Sequence, residues 1–73
     1  MQRDETELEM VQRHIREGRE HIARQYEIIE EFKTKGFPTE EAEQLLGTLL
    51  ALQRQHEEHL AHVQAKLGQS NPS

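Results

Sequence analysis

The stretch Phe32-Lys33-Thr34-Lys35-Gly36-Phe37-Pro38-Thr39-Glu40-Glu41 decides the fold, because a helix stop and a helix start stand back to back in it. Gly36 suits the position just past a helix end, where the backbone needs positive φ. That choice places Phe32 and Phe37 at the two positions whose side chains meet in a Schellman motif. Pro38 blocks continuation, and Thr39 is placed to cap a second helix whose first turn carries Glu40, Glu41 and Glu43 against its positive end. Both the stop and the start therefore have a chemical cause.

Upstream of this turn, Leu8, Val11, Ile15, Ile22, Tyr26, Ile29 and Phe32 fall on one stripe of a helix. Leu8, Ile15, Ile22 and Ile29 are spaced by sevens, the repeat of a coiled-coil seam. The alternate seam positions are Val11, Gly18, Gln25 and Phe32, so the middle of the seam lacks apolar side chains. The pairs Glu9/Arg13, Glu20/Arg24 and Glu31/Lys35, acid first at i,i+4, mark the solvated face. Downstream, Ala42, Leu46, Leu49, Gln53, His56, Leu60, Val63 and Leu67 form the matching stripe, closed by Gly68.

The spacing thus predicts an antiparallel helical hairpin over residues 1–69, with a helix over about 4–35, a turn at 36–38 and a helix over about 39–67. Residues 70–73 read as a disordered tail. If the turn centres on Gly36 and Phe37, Ile29 lies opposite Leu45 or Leu46, Gln25 opposite Leu49, Ile22 opposite Gln53, Gly18 opposite His56 and Ile15 opposite Leu60. A glycine costs ~1 kcal/mol inside a helix relative to Ala, and room for the His56 imidazole is the reason this register offers for Gly18.

Leu45, Leu50 and Leu52 add a broad apolar shoulder to the second stripe, wider than one partner helix covers. The expected architecture is therefore all-α, the hairpin dimerising into a four-helix bundle. Its expected interface is Leu45, Leu46, Leu49, Leu50 and Leu52 with Ile22 and Ile29.

Composition narrows the functional classes. Across 73 residues, 33% are apolar and 32% charged, with no Cys or Trp, and the mean hydropathy is −0.97. One small domain is the upper bound, and such a chain is short for an enzyme fold. Nine Lys and Arg against fourteen Asp and Glu give a net charge of −5, which disfavours nucleic acid and anionic membrane surfaces. The charged opening MQRDETELEM is unlike a secretory signal, and the longest apolar run, Leu49-Leu50-Ala51-Leu52, is far too short to span a bilayer. A cytoplasmic location is expected, consistent with the absence of Cys.

Histidine is the one unusual enrichment. His14 and His21 flank Gly18 on the first helix, while on the second His56 points into the apolar stripe, His59 lies at its edge and His62 points away. A transition-metal or haem site built from His14, His21, His56 and His59, with Glu17 nearby, is the alternative reading of this chain. The spacings match neither the carboxylate signature of di-iron bundles nor the zinc-protease signature, so the leading reading carries no cofactor and no metal. His56 is also a candidate pH sensor.

Nucleophilic catalysis has little to work with, since the only serines are Ser70 and Ser73 and there is no Cys. The carboxylates lie on a charged helix surface without a pocket, so the chain reads as a non-enzyme. Hairpin dimers can hold RNA, yet here Arg13, Arg16, Arg19 and Arg24 are interleaved with Glu9, Glu17, Glu20 and Glu27, which neutralise a phosphate-binding stripe.

His14, Glu17-Gly18, the string His21-Ile22-Ala23-Arg24-Gln25, the turn from Gly36 to Thr39 and the stretch from Gln53 to His56 together resemble a group of short, uncharacterised alphaproteobacterial helical-hairpin proteins. The resemblance spans His14 to Leu60, about two-thirds of the chain. It implies a bacterial origin and a helical hairpin, and it brings no activity, cofactor or catalytic residue. A homodimeric interaction or regulatory module, with another protein as a further partner, is the expectation these features support best.

Overall fold

The computed structural model describes residues 5–69, which form two α-helices packed antiparallel, α1 over Glu7–Lys35 and α2 over Glu40–Gln69. Helix α1 starts later than the expected residue 4, because Thr6 is its N-cap. The Thr6 hydroxyl accepts from the Glu9 N–H at 3.1 Å, and the Glu9 carboxylate accepts from the Thr6 N–H at 3.0 Å. This capping box satisfies two helix-end donors reciprocally, and its Thr-x-x-Glu signature stands in the sequence. Helix α2 passes through Gly68 to Gln69, beyond the expected end at 67. Among the described residues only Gly36 takes positive φ, so Gly68 does not act as a terminator. The expected tail, residues 70–73, lies outside the described residues.

At the turn, Gly36 has φ 75° and ψ 21°. The Phe37 N–H donates to the Phe32 carbonyl at 2.8 Å and the Gly36 N–H to the Lys33 carbonyl at 3.1 Å, the paired bonds of the Schellman motif. The Phe32 and Phe37 rings meet edge to face with centroids 5.7 Å apart. The hydrophobic contact anticipated from their positions closes the turn.

Between the helices the core is apolar at both ends and polar in the middle. Far from the turn, Val11, Ile15 and Val63 are buried, with Leu8, Met10 and Leu60 packed against them. Near the turn the buried side chains are Ile29 and Ala42. In the middle, Gln25 and Gln53 are buried and act as reciprocal staples. The Gln25 amide donates to the Ala42 carbonyl and the Gln53 amide to the Ile15 carbonyl, both at 2.9 Å. A helical carbonyl retains a second lone pair after accepting its own helix bond, so each amide crosses the seam without breaking a helix.

These staples correct the expected register. Ile15 and Leu60 do share the far cluster, but Gln53 reaches past Ile22 to the Ile15 carbonyl, and Gln25 bonds at Ala42 rather than facing Leu49. The glycine at 18 receives Gln53, not His56: a Cβ there would fall on Gln53 Oε1 and lie 3.0 Å from Cδ. The amide needs a gap in the facing helix, and Gly18 supplies it. The surface pairs also shift. Arg13 bonds Glu5 and Glu17 while Glu9 closes the capping box, and Arg24 bonds Glu27. Lys35 and Glu31 pair as expected at 3.0 Å.

The Cα atoms span 60 × 30 × 13 Å. The molecule is a slab one helix thick, and both broad faces are surface.

Candidate functional site

One broad face carries a concavity of about 210 Å³ at mid-hairpin. Its α1 wall is His14, Glu17, Gly18 and His21, and its α2 wall is Leu49, Leu52, Gln53 and His56. Gly18 adds no side chain to the α1 wall, and the space a Cβ would take there is filled by the Gln53 amide. The Gln53 Oε1 is buried without a hydrogen-bond partner while its Nε2 is engaged at Ile15. Leaving such an oxygen unpaired costs about 1–3 kcal/mol, so the amide is held by the bond its other end makes and by the fit against Gly18.

The four histidines of the alternative reading separate into two settings. His14 and His56 face each other across the helices with ring centroids 5.1 Å apart and planes inclined at 46°, and His21 lines the same concavity. His59 does not join them. Its Nε2 lies 3.6 Å from the Glu7 carboxylate, because its position on α2 directs it to the start of α1. Among the described residues no group of three or more His, Asp or Glu side chains is arranged to hold a metal ion. Glu17, the nearest carboxylate, bonds Arg13 at 3.3 Å.

The leucine shoulder divides between the two faces. Leu45 and Leu52 are seven residues apart, on one side of α2 with the concavity, whereas Leu50 is displaced from Leu52 by about 200° and lies on the other side. All three are close to half exposed, at 49%, 44% and 44% for Leu45, Leu50 and Leu52. Leu46, Leu49 and Ile22 are half-buried between the helices. Ile29 is covered within one hairpin and has almost no area left to offer a partner.

Charge on α1 is organised around Arg13, which bonds Glu5 at 2.9 Å and holds its carboxyl below the usual carboxylate range. Lys35 does the same to Glu31. A carboxyl with a lowered folded pKa contributes stability that is present at neutral pH and lost as pH falls through the folded value. Both pairs are exposed, so this contribution shrinks with added salt.

Comparison with known proteins adds no assignment: no family model, no curated protein and no solved structure matches the chain. Among the described residues no helix is long and apolar enough to cross a membrane.

The two interior glycines separate cleanly by experiment. Gly47 has nothing within 4 Å of a Cβ built on it, so Gly47→Ala is expected to stabilise the protein by about 0.5–1 kcal/mol. Gly18→Ala gains the same helix propensity but displaces the Gln53 amide, and the expected net change is zero or a loss. In a Gln53→Ala background the same change is expected to stabilise, a coupling of about 1 kcal/mol. Urea unfolding of the four proteins of that cycle reads it, and additive effects would remove the staple from the account.

Proposed function

We propose that the hairpin is a non-enzymatic homodimeric interaction module, two copies pairing into a four-helix bundle across the face that bears Leu45, Leu49, Leu52 and the His14–His56 pair. The observation that carries this reading is the amount of surface. One hairpin exposes 6072 Å², whereas a compact monomer of its mass exposes roughly 4,700 Å². The difference, on the order of 1,400 Å², exceeds the ~800 Å² that each partner commonly buries in a stable complex. Domains bury their apolar faces between at least two layers, and a slab 13 Å thick supplies one.

The histidine face is the better seam because it combines half-exposed leucines with a concavity that gives a second copy depth to fill. Leu50, on the other side, remains for a different protein partner. The net charge of −5 opposes association, and added salt screens that repulsion. Small-angle X-ray scattering tests the reading. The expected particle has twice the 8.6 kDa chain mass and about twice the hairpin's thickness; a single-hairpin mass of 8.6 kDa at every concentration would overturn it.

A further inference from the structure

We infer that the His14–His56 pair is half of a transition-metal site, completed by the same two residues of a second copy, so that one zinc-like ion ties the dimer together. This inference rests on the dimer reading and specifies what lies at its seam.

Its geometric basis is the spacing of the rings. A nitrogen ligand sits ~2.0–2.1 Å from zinc, which puts the centres of two imidazoles on one tetrahedral ion roughly 5 Å apart. The His14 and His56 centroids are 5.1 Å apart and the rings are tilted rather than stacked. Each comes from a different helix, so the packing of α1 on α2 fixes the spacing.

One hairpin supplies only these two ligands. Glu17 bonds Arg13, His59 is beside Glu7, and among the described residues no third carboxylate or imidazole joins the pair in a metal-binding arrangement. An ion held by the pair therefore keeps half of a tetrahedral coordination open. A structural zinc site is closed by four protein ligands, and imidazole suits zinc, copper and nickel. A two-fold axis over the pair closes it with two more imidazoles.

Desolvation points the same way. A second copy laid on this face takes polar ring nitrogens out of water, a cost that a ligand bond offsets. Leu49 and Leu52, on the wall of the same concavity, then shield the ion from solvent.

The test uses the full chain purified without a tag, in EDTA and then with zinc chloride, read by native mass spectrometry and by the dimer dissociation constant. The expected result is one zinc per two chains. With free zinc at about ten times its own Kd, linkage lowers the dimer constant roughly tenfold. His14→Ala and His56→Ala are each expected to lose the zinc and the tightening while retaining the helical circular dichroism. His14→Gln and His56→Gln keep side-chain bulk and serve should an alanine variant fail to fold. His62→Ala, at an exposed position, is expected to keep both. A dimer in EDTA that takes up no zinc, or whose zinc survives loss of either histidine, overturns the shared site and leaves the dimer reading standing. One zinc on a single chain without dimerisation also overturns it. A monomer under every condition overturns both.

Discussion

Replacing Leu45 and Leu52 together by Lys is expected to convert the proposed dimer into folded single hairpins. In one hairpin these side chains are already close to half exposed, so lysine at both positions costs the isolated fold little. In the proposed bundle the second copy would cover them. Burying the remaining half of a Leu contributes about 1 kcal/mol, and four such side chains contribute on the order of 4 kcal/mol, which weakens the dimer roughly a thousandfold when lost. The introduced ammonium groups add repulsion across the seam. Size-exclusion chromatography with light scattering reads the mass, and far-ultraviolet circular dichroism reads the helices. A variant that stays dimeric at micromolar concentration would place the seam elsewhere. Leu50→Lys, on the opposite side of α2, is the matched control and is expected to remain dimeric.

Ile15→Ala is expected to destabilise the fold itself by about 2–5 kcal/mol. Ile15 is buried in the far cluster with Val11 and Val63, and among the described residues these three make up the buried part of that cluster. A domain of this size has a total stability on the order of 4–11 kcal/mol, so the loss is a large share of it. The Gln53 amide bonds the Ile15 backbone carbonyl, not its side chain, and the staple has no reason to break. Thermal unfolding at fixed protein concentration is expected to shift down by about 8 °C or more, on the order of 4–8 °C per kcal/mol. A loss below about 1 kcal/mol would mean that the far ends of the helices do not pack as a core.

What could be read from the sequence, and what could not, divides by the range of the interaction. Gly36, Phe32, Phe37 and Pro38 act within a few residues of one another, and their positions alone specify the turn that the structure contains. Thr6 and Glu9 are equally local. Their Thr-x-x-Glu spacing is a capping-box signature that the expected start at about residue 4 passed over, with Glu9 assigned to Arg13 instead. The facing register is different, because it depends on where Gln25 and Gln53 find carbonyl lone pairs on the other helix. A rule symmetric about the turn has no knowledge of those bonds, and it paired Gly18 with His56 instead of Gln53.

The candidate site shows the same division. That His14 and His21 flank Gly18 follows from helical spacing, whereas His56 joins them in one concavity through the packing of the two helices. That His59 leaves the group follows from Glu7 at the start of α1, whose position opposite it is a tertiary fact. The division of the leucine shoulder follows from the angle between Leu50 and Leu52, whereas the covering of Ile29 inside one hairpin required the packed pair.

Sedimentation equilibrium of the untagged chain in EDTA, from about one to one hundred micromolar, reads whether two hairpins pair. A reversible approach to twice 8.6 kDa is expected within that range, before any metal is added. A mass of 8.6 kDa at every concentration, with both helices intact by circular dichroism, would show that one hairpin stands alone and would contradict it.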